Sequence, residues 1–473
     1  MDEYSKVTPE IISALKNILP EKYVLHGDKE QLEPFSHDEI SEKKYSHFPE
    51  VVVRPRTADE IAEIMKLANR EKIPVTPRGG GTGLSGGAVP IHGGIVLFID
   101  RMNSILEIDT ENMVAVVEPG VITNDINTAA AEHGLWFAGY PMSFQSCFIG
   151  GNVSENAGGG KAVKYGVTGR YILGLEMVTP EGEIVKLGGK LVKNVTGYDL
   201  IKLLVGSEGT LGIFTKIIVK LLPMPGKVVD LLVSFKDTAS AIRMVPVIMT
   251  RAKVIPAAVE YMDLLSVQTA CEYLDEKLPY EGSGALLLIE LDGNSETALE
   301  EEYEAIGELC MENGALDVFV ADTRAKQEKI WNVRRNIAEA FKAVSPDQSA
   351  EDITVPIACI PDVMPVLDKL SEEFDIQVPC YGHAADGNLH VTLVRNPDQT
   401  IEQWEAVLPK ALEKLYEATA KLGGVISGEH GIGHKRKQYL HYSLDETSIE
   451  LMKRIKRAFD PNNILNPGKI FDL

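Results

Sequence analysis

Apolar and polar positions alternate along this chain in short runs with two periods, and the runs predict strands and helices in turn. Val51-Val52-Val53 reads as a buried strand. Thr57-Ala58-Asp59-Glu60 then has capping-box spacing and opens an amphipathic helix running through Ala68. Residues 73–76, 94–100 and 113–120 read as further strands, and residues 10–19 and 124–134 as helices. Leu221-Leu222-Pro223-Met224-Pro225-Gly226 is a turn-rich boundary. Beyond it the pattern predicts strands over 228–235, 285–291, 317–320 and 353–357, and helices over 238–249, 295–313, 326–344, 361–374 and 401–422. That alternation suits an α+β cap built on one sheet. No solenoid period and no low-complexity segment interrupts it.

The pattern breaks at Pro77-Arg78-Gly79-Gly80-Gly81-Thr82-Gly83-Leu84-Ser85-Gly86-Gly87-Ala88, where six of twelve residues lack a side chain. Such a run lets backbone N–H groups converge on an anion, so it reads as a phosphate cradle. Gly81-x-Gly83-x-x-Gly86 formally fits the dinucleotide fingerprint, with Asp100 near the ribose position. That fingerprint requires a helix directly after the loop, and Pro90 with Gly93-Gly94 leaves no room for one. The loop is therefore expected to join two strands. Two more glycine-and-hydroxyl segments follow, Ile149-Gly150-Gly151-Asn152-Val153-Ser154 through Gly160 and Gly206-Ser207-Glu208-Gly209-Thr210-Leu211-Gly212-Ile213. Three such segments suggest one long ligand gripped at several points.

Composition narrows the partners. The 473 residues carry a net charge of −22, which argues against nucleic acid or an anionic membrane. No apolar run approaches the roughly 20 residues of a membrane span, and Met1-Asp2-Glu3-Tyr4 does not start a signal peptide. The five cysteines are scattered with no C-x-x-C pair, so disulfide scaffold, zinc ribbon and iron–sulfur cluster are unsupported and a reducing cytoplasm is expected.

Histidine supplies the second constellation, with four of the ten lying between positions 383 and 434. In Tyr381-Gly382-His383-Ala384-Ala385-Asp386-Gly387-Asn388-Leu389-His390, a turn at Asp386-Gly387 runs into a strand that places Asn388 and His390 on one face. Ser427-Gly428-Glu429-His430-Gly431-Ile432-Gly433-His434 follows the long helix. Two histidines and a carboxylate are ligands for a divalent ion with positions left open for substrate. Neutral His383 and His390 with ionised Glu429 would leave the site at about +1 and favour an anion such as a 2-hydroxy carboxylate. His430 is then the base that takes the hydroxyl proton, so that hydride can leave the α-carbon for an acceptor. His434-Lys435-Arg436-Lys437 reads as a solvated helix start and His441 as surface.

The three glycine segments together resemble the flavin domain of the vanillyl-alcohol oxidase and p-cresol methylhydroxylase superfamily. The resemblance implies that Arg78, Gly79, Gly80, Gly81, Thr82, Gly83, Leu84, Ser85 and Gly86 wrap the FAD pyrophosphate. Pro141, Gly150, Gly151, Ser154, Gly212 and Ile213 would line the rest of the cofactor. Members that attach flavin covalently often carry His where this chain has Thr82, so FAD is expected to be non-covalent.

His383-x-x-Asp386-Gly387-Asn388-x-His390, Gly428-Glu429-His430-Gly431-Ile432-Gly433 and the closing Phe459-Asp460-Pro461-Asn462-Asn463-Ile464-Leu465-Asn466-Pro467-Gly468-Lys469 resemble the glycolate oxidase subunit, D-lactate dehydrogenase and D-2-hydroxyglutarate dehydrogenase group. This implies His383, His390 and Glu429 as ligands of zinc or iron, Asn388 at the substrate and His430 as proton acceptor. Trp331-x-x-Arg334 resembles the segment whose arginine holds the substrate carboxylate.

The expected architecture is α+β. A two-subdomain FAD-binding domain of the p-cresol methylhydroxylase type spans residues 1–222 and a cap with a mainly antiparallel sheet spans 223–420. Residues 421–473 complete the active site. Hydroxyglutarate-type members carry a lysine where this chain offers Ser349-Ala350-Glu351, which favours a monocarboxylate, D-lactate ahead of glycolate. Soluble relatives of this type work with an electron-transfer flavoprotein, some coupling lactate oxidation to NAD reduction by confurcation, and such a flavoprotein is the expected acceptor. A non-haem iron oxygenase, a zinc hydrolase and a non-catalytic flavin carrier are the competing readings.

Overall fold

A computed structural model describes residues 4–40 and 42–473. Met1, Asp2 and Glu3, part of the acidic start read as no signal peptide, lie outside the described residues. The chain divides into two units. The first comprises Met1–Gly158, Val167–Met224 and Glu429–Leu473, the second Gly159–Gly166 and Pro225–Gly428.

In the first unit, strands β1 (Val24–His26), β2 (Val51–Val53), β3 (Val75–Arg78) and β4 (Ile95–Phe98) form a sheet in the order β1-β2-β4-β3. β2, β4 and β3 run parallel, and the three valines of β2 are fully buried, as a strand covered on both faces requires. The helix Ala58–Glu71 crosses from β2 to β3. Its N-cap Thr57 accepts from the Glu60 N–H, but the Glu60 carboxylate reaches back to Arg56 N–H rather than to Thr57, so only half of the capping box forms. The helix buries Ile61, Ile64 and Met65 against Val53, Val75, Ile95 and Leu97. Each such side chain stabilises the unit by about 1.5–3 kcal/mol. The glycine loop then runs from β3 to its parallel neighbour β4 without any helix, as Pro90 and Gly93-Gly94 dictate.

A second, antiparallel sheet has the order β5-β6-β10-β8-β9. It joins β5 (Ile105–Asp109), β6 (Val114–Val117), β8 (Ile172–Val178), β9 (Ile184–Gly188) and β10 (Ile213–Lys220). A small ribbon pairs β7 (Leu135–Trp136) with β11 (Leu222–Pro223). The C-terminal stretch returns to the first sheet. Val75 N–H donates to the Ile464 carbonyl and Asn466 N–H to the Val75 carbonyl. Buried Lys456 gathers Asp460 and the carbonyls of Thr210 and Leu465.

The second unit is built on one antiparallel sheet in the order β15-β12-β14-β13-β18-β19-β16, with β17 (Ile376–Gln377) also on β19. Its strands are β12 (Lys227–Phe235), β13 (Ala258–Asp263), β14 (Ala285–Gly293), β15 (Ala315–Ala321), β16 (Gln348–Thr354), β18 (Cys380–His383) and β19 (Asn388–Arg395). Two expectations need correction. The helix expected over 326–344 is two helices, Arg324–Arg335 and Ile337–Val344, broken at Asn336, whose side chain bonds to the Asn332 carbonyl. The strand expected over 353–357 starts at Gln348 and ends at Thr354, because Pro356 has no N–H for the ladder. No helix among the described residues is long and apolar enough to cross a membrane.

Candidate active site

The first unit presents a site made mainly of backbone. Gly81 and Gly86 take positive φ (74° and 75°), and a Cβ on Gly81 would lie 2.3 Å from the Arg78 guanidinium. Arg78 is itself buried, donating to the carbonyls of His37 and Pro34. It therefore braces the loop from behind, and the N–H groups of residues 79–86 remain the natural anion donors. Asp38 accepts from Gly86 N–H and fixes the far end of the loop; burial pushes its carboxyl up. The short helix Ile149–Glu155 carries Gly150, Gly151 and Ser154. Gly150 backs onto Pro119, whereas a Cβ on Gly151 would meet nothing within 4 Å and one on Gly79 would only touch Phe148 Cβ at 3.7 Å. Gly212 sits against Met177 ahead of buried Ile213, and Pro141 and Thr82 are half-buried. The Ser85 and Ser207 hydroxyls are buried with no protein partner among the described residues. Open space over Gly151, and buried hydroxyls without a protein partner in the first and third glycine segments, fit a dinucleotide such as FAD.

The second unit presents a site made of side chains, and the strand register lays it out. One rung across four strands reads Glu260, His383, Asn388, Thr354; two residues further along, the next reads Met262, Tyr381, His390, Asp352. Residues two apart share a face, so both rungs project to the same side of the sheet. The His383 and His390 rings lie 5.1 Å apart, edge to face. Glu260 contacts His383 Nδ1 at 2.6 Å and pairs with the Arg334 guanidinium at 2.5 Å, and all three side chains are buried. Burial alone would raise the Glu260 carboxyl, but Arg334 and His383 outweigh it and hold it at about 2. An ionised carboxylate only accepts, so His383 carries its proton on Nδ1 and presents Nε2 as an electron-pair donor, the arrangement of a metal-binding imidazole. Gly160 lies over this pair, where a Cβ would come 2.7 Å from Glu260 Oε1.

Asp352 shares the face with His390, its Oδ1 3.7 Å from Nδ1, and the two side chains each offer a metal-ligating atom. Asp352 is fully buried and accepts from Asn388 Nδ2, Ser427 Oγ and Gly428 N–H. Asn388, expected at the substrate, thus holds Asp352. Glu351 points to the opposite face, where it accepts from Tyr416 and Ser349. The carboxylate beside His390 is therefore Asp352, and Glu351, which weighed in the choice of a monocarboxylate, faces away from it. Arg334 stacks over Tyr381 at 5.0 Å.

Glu429 and His430 follow Gly428 directly and open the last stretch of the first unit. A Cβ on Gly158 would lie 3.0 Å from Glu429 Oε2, so a larger residue there would collide with that carboxylate. After His430 the chain turns through Gly431 and Gly433, both at positive φ. Ile432 and Gly433 donate their N–H groups to the Glu208 carboxylate at 2.8 and 2.6 Å. The solvated reading of 434–437 is wrong for Lys435 and Arg436, which are 4% and 0% exposed. Arg436 donates to the Leu84 and Gly431 carbonyls, tying this stretch to the first glycine loop. His434 packs edge-on against Tyr45 and His47, and burial with Lys437 and Lys469 pushes it down to about 4. His441 is exposed, as expected.

The sequence reading missed Glu260, Asp352 and Glu208. Glu208 lies inside a motif already singled out, and a carboxylate among so many small residues was the available signal. Glu260 had none, because its partners are 74 and 123 positions away.

Comparison with known proteins agrees with this geometry. Residues 49–188 match the family model described as FAD binding domain, and residues 224–470 that described as FAD linked oxidases, C-terminal domain. The chain is 41% identical over 473 residues to a D-lactate dehydrogenase of Anaerostipes hadrus, covering 99% of this chain and 98% of that protein. It is 42% identical over 431 residues to the glycolate oxidase subunit GlcD of Bacillus subtilis (strain 168), covering 90% of each. The solved structure of p-cresol methylhydroxylase with substrate bound superposes with a TM-score of 0.80 at 18% identity, over 98% of this chain and 96% of that one, and shows the same fold. Glycine cradle, antiparallel cap and full-length kinship together make this chain a member of the FAD-linked oxidase family, an FAD-dependent oxidoreductase of the p-cresol methylhydroxylase fold.

Proposed function

We propose that this FAD-linked 2-hydroxy-acid dehydrogenase oxidises D-lactate to pyruvate in the cytoplasm and passes the electrons to an electron-transfer flavoprotein. The observation that carries the reading is the sheet face of the second unit, where Glu260 orients His383 and Asp352 stands opposite His390. Bound FAD supplies the two-electron acceptor. The glycine segments hold it without a covalent bond, since Thr82 stands where attaching relatives carry His. His383, His390 and Glu429 would hold a divalent ion, zinc or iron, which lowers the pKa of a hydroxyl on it as it does for water.

Arg334 engages the substrate carboxylate through N–H groups beyond those on Glu260, and Asn388 keeps Asp352 in place beside His390. His430 takes the C2 hydroxyl proton, so the two electrons of the C2–H bond leave as the ketone forms. The product is one 2-oxo acid, with one proton on His430 and a hydride equivalent transferred. A second ligand carboxylate would approach Asp352 and Glu260, which disfavours hydroxyglutarate; glycolate, the substrate in the name of the Bacillus relative, is the runner-up.

Anaerobic titration of the flavin-loaded protein with D-lactate, L-lactate, glycolate and D-2-hydroxyglutarate tests the reading. D-lactate is expected to bleach the flavin at the lowest concentration. Preferential bleaching by hydroxyglutarate, or by none of the four, would overturn it.

A further inference from the structure

The stretch that begins with Glu429-His430 has no helix or strand to hold it. Among the described residues, 429–436 form turns and coil, with positive φ at Gly431 (82°) and Gly433 (53°). His434 and Lys435 N–H donate to the Ser85 carbonyl and hold the far end of this stretch, and between them and His430 the backbone is held by a side-chain carboxyl. Consecutive N–H groups in such a conformation form a concavity that receives acceptor oxygens, and here they come from a buried side-chain carboxyl of the same chain, which burial pushes up. Glu208 Oε1 accepts from Ile432 N–H and Oε2 from Gly433 N–H, one bond to each oxygen.

Glu208 is itself fixed on every other side. It takes a left-handed φ of 51°, unusual for a residue with a side chain, and is 7% exposed. Its N–H donates to the Ser154 carbonyl in the second glycine segment. Its own carbonyl accepts from Asn466 Nδ2, which also donates to the Gly87 carbonyl at the end of the first loop. All three glycine segments therefore converge on one residue, and its carboxylate grips the backbone two residues past His430. A role in packing alone would not require one oxygen on each of two successive amides.

We propose that Glu208 is a positioning residue for His430, registering the proton acceptor to the glycine segments. This rests on the reading of His430 as base. Without this side chain the two amides lose their acceptors and the backbone that carries His430 loses its register, and displacement of a reacting group by about 1 Å can cost 10²-fold in rate.

The test uses flavin-loaded Glu208→Gln, Glu208→Asp and Glu208→Ala. Gln keeps the shape but can accept on only one of its two terminal atoms, while Asp keeps the charge on a shorter stem. Hydrogen exchange followed by mass spectrometry on peptides covering 431–434, D-lactate turnover per bound flavin with a dye acceptor, and flavin content are measured together. In Glu208→Gln, exchange at Ile432 and Gly433 should accelerate at least tenfold. Its kcat should fall about 30-fold or more, with KM for D-lactate within threefold and flavin retained; Asp should recover part of the loss. Unchanged kcat per flavin alongside accelerated exchange would overturn the positioning role, and unchanged exchange would overturn the grip itself. His430→Ala run in parallel separates the two readings: wild-type turnover there refutes His430 as base, while the exchange result still judges the contact. If Glu208→Ala does not fold, the Gln and Asp variants decide the outcome.

Discussion

The glycine cradle of the first unit and the sheet face of the second solve opposite problems. The cradle removes side chains so that backbone could approach a ligand, leaving open space over Gly151. The sheet face stacks ionisable side chains two rungs deep and holds them with one another, Glu260 between His383 and Arg334 and Asp352 between His390, Asn388 and Gly428. A backbone site should thus be damaged by adding an atom, and a side-chain site by removing one.

The largest expected effect is on the sheet face. Glu260→Ala strands a buried Arg334 guanidinium and lets the His383 ring turn. Stability of the protein should fall by roughly 3–5 kcal/mol in urea unfolding. Metal retained per chain, read by elemental analysis, should weaken by about 10- to 100-fold in affinity. A loss under 1 kcal/mol with full metal would mean that these side chains do not depend on one another. Next comes His430→Ala, which should keep FAD and metal while flavin reduction by D-lactate slows by about 10²-fold or more in stopped flow.

Adding an atom tests the other half of the comparison. Gly151 lies in the helix Ile149–Glu155, so Gly151→Ala should leave the flavin-free protein as stable or up to about 1 kcal/mol more stable. If Gly151 borders the cofactor as proposed, the new methyl enters the space that FAD would fill and should weaken FAD binding about tenfold, a cost of about 1.4 kcal/mol. Opposite signs for stability and affinity are the diagnostic; weaker folding with unchanged FAD affinity would place the cradle elsewhere.

The smallest effect concerns a carboxyl in the second unit that lies outside both rungs. Burial, with Glu290 adding to it, pushes Asp230 up to about 8, while Trp331 Nε1 donates to it. A carboxyl whose folded pKa is raised binds its proton more tightly in the folded state. Its contribution is therefore full below about pH 4 and is lost as pH rises through 8. Asp230→Asn should flatten that slope and gain on the order of 1 kcal/mol at pH 8–9 in thermal unfolding, the full shift being reduced by Lys161 on Glu290.

The same contrast explains what could be read from sequence. A backbone site announces itself through its glycines, so the loop between β3 and β4, with no helix after it, was legible from Gly79 to Gly94. The sheet face was half legible. His383, Asn388 and His390 stood out because they are rare residues close together, but Glu260 reaches them only through the pairing of β13 with β18. The strand β16 escaped in part because Gln348-Ser349-Ala350-Glu351-Asp352 looks solvent-facing. It is buried because one face serves Tyr416 and the other His390. Lys435 and Arg436 misled for a similar reason, since buried carbonyls rather than water satisfy Arg436. Hydrophobic pattern finds cores made of hydrocarbon; polar cores held by long-range partners carry no local period.

The measurement that reaches furthest is an anaerobic one on the flavin-loaded protein, mixed with D-lactate before metal chelation, after it, and after zinc or iron is restored. The account predicts that flavin bleaching is rapid in the native protein, lost with the metal and recovered on restoration, with His383→Ala and His390→Ala failing to recover. Bleaching at an unchanged rate in metal-free protein would contradict it.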